Sequence, residues 1–250
     1  MKKIAFVTGA TSGIGEAIAK ILAKDYSLII CGRRKEKLEK LAAELNSSTE
    51  VHTLSFDVSN ATEVAESINS LPAEWQAISV LVNNAGNAHG RAPIHKGDLA
   101  DWDAMIDSNL KGLLYVTRAI SPGMVERKSG DIINIGSIAG KEVYPEGNVY
   151  CASKFGVDAA TNGMRMDLNP YGIRVMGIHP GLVETEFSMV RFKGDESKSN
   201  DVYKGMTPLY ALDIAEIVKF ALERPAHVTM ADITIFPTAQ ASSTIVNRQN

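Results

Sequence analysis

Ile4-Ala5-Phe6-Val7-Thr8-Gly9-Ala10-Thr11-Ser12-Gly13-Ile14-Gly15-Glu16-Ala17-Ile18 changes its period halfway along. Ile4 to Val7 is an unbroken apolar run, as in a strand covered on both faces. From Ile14 the apolar residues fall at Ile14, Ala17, Ile18, Ile21 and Leu22, the spacing of one helical face. Three glycines, Gly9, Gly13 and Gly15, mark the turn between the two. Glycine tolerates positive φ and lets a ligand approach the backbone. The helix start offers free N–H groups and a partial positive charge, which suit a pyrophosphate. Glycine spacing alone would also fit a tight turn that holds nothing. The strand-turn-helix context favours a dinucleotide site built from Gly9, Thr11, Ser12, Gly13, Ile14 and Gly15.

The same alternation continues outward. Strands are expected at Leu28–Cys31, Val51–Phe56, Val80–Val82, Ile132–Ile135, Val175–Ile178 and Ile233–Phe236. Helices are expected at Lys35–Leu45, Asn60–Leu71, Trp102–Val125, Val149–Leu168 and Ile214–Leu222. Pro122 should kink or end the Trp102 helix, since proline has no N–H to donate. Phe187 to Lys204 is polar and reads as a flexible loop, part of a lid at about 185–207. Strand-helix alternation of this kind means parallel βαβ units and one doubly wound α/β sheet, here in a single domain over residues 1–250.

Composition removes other classes. Lys plus Arg is 26 and Asp plus Glu is 29, so no basic excess points to nucleic acid. No apolar run reaches the roughly 18 residues of a membrane span, and the run after Lys2-Lys3 is too short for a secretory signal. The two cysteines, Cys31 and Cys151, lie far apart, which fits a reducing, cytoplasmic setting. The five histidines show no metal-ligand spacing, so no metal is expected.

After the second strand the chain reads Gly32-Arg33-Arg34, where an NAD site usually carries an acidic residue. Guanidinium groups match a 2′-phosphate, so Arg33 and Arg34 favour NADP over NAD. The alternative is a solvated start to the Lys35 helix. Further on, Tyr150 and Lys154 stand at i and i+4 on one helical face. An ammonium nearby lowers a phenol's pKa, which is what acid/base work on a carbonyl needs. Tyr-x-x-x-Lys alone would equally fit an ordinary amphipathic helix. Ser137 follows the fifth strand, at the carboxyl edge where ligands of parallel sheets bind. Asn109 interrupts a helical pattern and suggests a bend or a held water.

In this order, Thr8-Gly9 to Gly15, Asp57-Val58, Asn83-Asn84-Ala85-Gly86, Asn109, Ser137, Tyr150, Lys154 and Pro180-Gly181 resemble the short-chain dehydrogenase/reductase family over nearly the whole chain. The resemblance implies a Rossmann-type sheet of seven strands in the order 3-2-1-4-5-6-7 and an assembly of two or four subunits, with a homotetramer the expectation. It implies Tyr150 as general acid/base and Lys154 on the nicotinamide ribose. It implies Ser137 on the substrate oxygen, and Asn109 on a water linking Lys154 to solvent. It adds Asp57 and Val58 at the adenine, Asn84, Ala85 and Gly86 beside the ribose, and Pro180, Gly181, Val183 and Thr185 as the nicotinamide clamp.

Leu71-Pro72-Ala73-Glu74-Trp75, Ile120-Ser121-Pro122-Gly123-Met124 and Val190-Arg191-Phe192-Lys193-Gly194-Asp195 are similar to one branch, the bacterial NADP-dependent 3-hydroxy acid dehydrogenases. That implies L-serine, L-allo-threonine and 3-hydroxypropionate, with its malonic semialdehyde, as small-molecule substrates. A substrate carboxylate needs a cation, and Arg191 is the candidate, with a solvated lid charge as the alternative. A 3-oxoacyl carrier-protein reductase or general ketone reductase is the rival reading. The glycine-free tail Phe236-Pro237-Thr238-Ala239-Gln240 counts against the former. A non-catalytic NADPH-binding protein would typically lack Tyr150 or Lys154.

Overall fold

The computed structural model describes residues 2–249. Nine strands and nine α-helices follow one another along them. The strands are β1 (Lys3–Thr8), β2 (Tyr26–Gly32), β3 (Val51–Ser55), β4 (Ile78–Asn83), β5 (Gly130–Ile135), β6 (Ile173–Pro180), β7 (Val183–Glu184), β8 (Leu209–Tyr210) and β9 (Asp232–Ile235). The helices are α1 (Gly13–Leu22), α2 (Lys35–Leu45), α3 (Ala61–Asn69), α4 (Leu99–Ile106), α5 (Gly112–Arg127), α6 (Asn148–Leu168), α7 (Phe187–Arg191), α8 (Glu196–Asp201) and α9 (Ala211–Leu222). Seven strands form one parallel sheet in the order β3-β2-β1-β4-β5-β6-β9. This is the expected order, because the short pair β7-β8 stands apart as its own sheet.

Alternate residues of each strand face opposite sides. Ala5 and Val7 join the core under α1, α2 and α9, through Ile18, Leu22, Leu38, Leu41, Ile214 and Val218. Ile4 and Phe6 join the opposite core under α3 and α5, through Val64, Ile68, Val116, Ile120 and Met124. Between β4 and β5 the second core carries buried polar groups. Asn83 Nδ2 donates to Thr117 Oγ1 and to Asn134 Oδ1, both at 2.9 Å. Asn134 Nδ2 donates in turn to Thr161 Oγ1 at 2.9 Å.

Two expectations change. Pro122 neither ends nor breaks α5, which runs on to Arg127 and stops at Lys128 in the left-handed region (φ 51°). Pro122 is exposed, and so is Arg118, the residue whose carbonyl it leaves without a helical donor. The interruption comes earlier, as a π-helical turn over Asp107–Lys111 that contains Asn109. The polar segment after the clamp is not a structureless loop. It holds α7 and α8, and Asp195 caps α8 by accepting from the Lys198 N–H at 3.1 Å. Helices of five and six residues are too short to show a periodic pattern. Among the described residues, no helix is long and apolar enough to cross a membrane.

Candidate active site

The carboxyl ends of the sheet strands open into one cleft of about 1000 Å³. All the expected cofactor and catalytic positions line it except Gly15 and Asn109, which lie just behind the wall. Gly9 and Gly13 have φ of 66° and 56°, so the turn needs glycine there. A Cβ on Gly15 would lie 2.3 Å from the Gly9 carbonyl oxygen. Asn84 locks this turn from the neighbouring strand. Its Nδ2 donates to the Thr8 and Gly9 carbonyls at 2.9 and 3.3 Å. Thr8 Oγ1 accepts from the backbone N–H of Asn84 and Ala85, both at 2.9 Å.

The two arginines behave differently. Arg33 is 70% exposed, with a 3.4 Å pair to Asp57. Burial pushes the Asp57 carboxyl up, but the Ser59 N–H and hydroxyl together with Arg33 outweigh it and hold the group below its ordinary value. Val58 is buried beside it. Arg34 serves the glycine turn. It donates to Thr11 Oγ1 at 3.0 Å, to the Thr11 carbonyl at 3.3 Å and to Ser12 Oγ at 2.7 Å. It also pairs with Glu186 at 2.8 Å, which Lys37 reaches at the same distance. Lys37 and Arg34 hold the Glu186 carboxyl down at about 2. Thr185 stands over Gly13, whose Cβ would come within 3.2 Å of it.

At the other end, α6 brings Tyr150 and Lys154 into the cleft, both buried. The Lys154 ammonium donates to the Ile135 carbonyl at 3.0 Å, and burial pushes its pKa down to about 8. Ser137 Oγ caps the short turn after β5, accepting from the Ala139 N–H at 3.1 Å. Burial pushes the Tyr150 phenol above its ordinary value, helped by Tyr144 and opposed by the Ser137 hydroxyl and by Arg191. Phe187 packs on the Tyr150 ring, centroids 5.7 Å apart. The Arg191 guanidinium lies 5.4 Å from the centre of that ring and 5.5 Å from the centre of Tyr144. Its Nη2 donates to the Tyr144 hydroxyl at 2.8 Å, while its buried Nε has no partner among the described residues.

Asn109 explains the π turn. Its Nδ2 donates to the Asn87 carbonyl at 2.8 Å and to Ser153 Oγ at 3.0 Å, and its Oδ1 accepts from the Asn87 N–H at 2.7 Å. One side chain thus ties the loop after β4 to the Tyr150 helix. π-Bulges of this kind are frequent at functional sites.

Tyr144, Glu186 and Gln240 also line the cleft, and no sequence motif marks them. Gln240 is buried, and its Oε1 accepts from the Leu182 N–H at 2.8 Å, bracing the turn after Pro180-Gly181. All three act across long stretches of chain, which no local spacing reveals. The fold also gathers Asp158, His179 and Asp232, although the histidines show no ligand spacing. The Lys141 ammonium already bridges both carboxylates there.

Residues 3–196 match the short chain dehydrogenase family. NADP-dependent 3-hydroxy acid dehydrogenase YdfG of Salmonella typhi is 48% identical over 240 residues, 95% of this chain and 96% of that protein. Sulfoacetaldehyde reductase 2 of Chromohalobacter salexigens is 44% identical over 245 residues, 97% of each chain. The closed form of serine dehydrogenase complexed with NADP+ superposes with a TM-score of 0.92 at 45% identity, over 98% of this chain and 100% of that one. With a family match over most of its length and relatives this similar end to end, the chain belongs to the short chain dehydrogenase family.

Proposed function

We propose that the protein is an NADP-dependent oxidoreductase that interconverts small 3-hydroxy acids and their 3-oxo forms, with Tyr150 as the acid/base. The names of its relatives support the reaction and the cofactor. The observation that carries the substrate class is Arg191, a cation against the Tyr150 ring in the same cleft.

The site fits the cofactor on its own chemistry. A glycine turn with positive φ at the start of α1 receives a pyrophosphate. Arg33, largely free beside Asp57, is left to meet a 2′-phosphate. Bound NADP supplies the hydride acceptor for oxidation and, when reduced, the donor for the reverse. Ser137 hydrogen-bonds the reacting oxygen. Tyr150 takes the carbinol proton in oxidation and returns it in reduction. The Lys154 ammonium, which donates to the Ile135 carbonyl, also holds the nicotinamide ribose in this reading. Asn109 holds the wall behind them. Arg191 receives the carboxylate, so L-serine, L-allo-threonine and 3-hydroxypropionate all present their hydroxyl to Tyr150. The sulfonate of sulfoacetaldehyde is a second candidate anion, on the strength of the relative that carries that name.

Two measurements test this reading. A hydrogen bond to a charged group contributes about 1.5–3 kcal/mol. Arg191→Ala therefore raises KM for 3-hydroxy acids by roughly ten- to a hundred-fold and spares uncharged alcohols. Equal losses for both would remove the carboxylate role. Arg33→Ala lowers NADPH affinity by roughly the same factor and NADH affinity little. Fluorescence titration of each cofactor reads the difference, and parallel losses would reject Arg33 as the phosphate ligand. Arg34→Ala weakens both cofactors, because Arg34 also shapes the Thr11-Ser12 turn.

A further inference from the structure

Tyr150, Arg191, Tyr144 and Arg91 alternate ring and guanidinium in one stack. Arg191 lies 5.4 Å from the Tyr150 ring centre and 5.5 Å from that of Tyr144, and Arg91 lies 5.6 Å from Tyr144. The Lys154 ammonium donates instead to the Ile135 carbonyl. Of the charged side chains, Arg191 is thus the one that rests on the Tyr150 ring. Arg191 is also under-partnered. Its side chain has one hydrogen-bond partner among the described residues, the Tyr144 hydroxyl, and its buried Nε has none.

We propose that Arg191 sets the protonation of Tyr150 and that the substrate's anionic end switches it. With no anion bound, the guanidinium over the ring favours the phenolate. An anion drawn onto Arg191 cancels that charge and favours the phenol, so reduction of an anionic substrate begins with its proton in place and oxidation of one needs a higher pH than the free enzyme's phenolate does. The proton balance is simple: binding the anion draws one proton onto Tyr150 from solvent, and releasing it returns the proton. The switch rests on the proposed reading that Arg191 receives the substrate's carboxylate.

The other groups that face the phenol do not replace Arg191. From the turn after β5 comes the Ser137 hydroxyl, which hydrogen-bonds but carries no charge. From the loop before α6 comes Tyr144, itself an acid whose pKa burial raises. On α6 stands Cys151, whose thiol burial also raises. From α7 come Phe187, which is apolar, and Arg191. Arg91 acts only through Tyr144 and is paired at 3.9 Å with Glu146. A full charge within about 4–6 Å moves an acid's midpoint by roughly one to three pH units. The sign is fixed: a cation lowers a phenol's midpoint, and its removal or neutralisation raises it.

The test is an ultraviolet titration of the phenolate band, taken as the unsubstituted protein minus Tyr150→Phe. It is repeated with saturating propionate, which has a carboxylate but no hydroxyl. Arg191→Gln should raise the Tyr150 midpoint by roughly one to three pH units without any ligand. Propionate should raise it similarly in the unsubstituted protein and leave Arg191→Gln where it was. Arg191→Lys keeps the charge and should restore most of the unsubstituted protein's midpoint, which a packing role alone would not explain. The pH profiles add a second readout. With L-serine, the acid limb of kcat, which reports the complex, should lie at higher pH than that of kcat/KM, which reports the free enzyme. In Arg191→Gln the two limbs should coincide. An unchanged midpoint in Arg191→Gln, or coincident limbs in the unsubstituted enzyme, overturns the proposal. The ligand-free midpoint does not depend on where a carboxylate binds. Failure of the carboxylate reading would appear separately, as equal KM losses for acids and alcohols in Arg191→Ala.

Discussion

Tyr150→Phe lowers turnover with 3-hydroxy acids by about 10²–10⁴-fold, the range of a positioned acid/base, and leaves NADPH affinity within a few-fold. The substitution removes one oxygen and keeps the ring. That ring is buried, with Phe187 packed on it at 5.7 Å and Arg191 above it at 5.4 Å, and phenylalanine satisfies both neighbours. The glycine turn, Arg33 and Arg34 lie at the far end of the cleft and do not touch residue 150. Steady-state kinetics and a cofactor titration on the same preparation separate the two effects. Turnover within ten-fold of the parent would move the proton transfer to another group, with Ser137 next in line.

The second large effect falls on the backbone. In Gly15→Ala the added Cβ would stand 2.3 Å from the Gly9 carbonyl oxygen and 2.4 Å from Asn84 Nδ2. Neither neighbour is free to retreat. Gly9 is held at φ 66°, and Asn84 Nδ2 is bound to the Thr8 and Gly9 carbonyls. Overpacking of this sort costs roughly 1–3 kcal/mol. It should appear both as a lower unfolding midpoint and as an NADPH affinity reduced by roughly ten- to a hundred-fold. Gly163→Ala is the internal control. A Cβ there meets nothing within 4 Å on α6, so the same substitution should stabilise the helix by about 0.5–1 kcal/mol. Equal behaviour of the two variants would show that the Gly15 contact is softer than its distances imply.

What sequence reveals here follows from range. The glycine turn between β1 and α1 is legible because strand, turn and helix are contiguous and each has its own period. Tyr150 and Lys154 are legible because four residues make one helical turn. Lys154 reaching the Ile135 carbonyl is not, since the partner lies 19 residues away in sequence. Glu186 meets Arg34 across 152 residues, and Gln240 meets Leu182 across 58. Only the folded chain brings such pairs together. Pro122 is a different case: proline's local penalty is real, but α5 is held on the sheet by Val116, Ile120 and Met124, and packing prevails. Asn109 is a poor helix former, and the regular helix does give way to a π turn where it stands. The π turn it occupies depends on partners at Asn87 and Ser153 that sequence does not expose.

The buried asparagine pair has a bearing on how the chain finds its fold. The middle strands are runs of valine, isoleucine and leucine, so sliding β5 past β4 by two residues would bury much the same oil. Apolar matching is nearly blind to that error. Asn83 and Asn134 are direct partners across the two strands, and their amides meet only in this alignment. A slipped sheet would strand two amides in a dry interior, at a cost of roughly 1–3 kcal/mol each. The pair therefore works as a proofreader: it adds little to a correct sheet and penalises an incorrect one. Replacing both by leucine would remove that penalty on the slipped register and make folding less faithful.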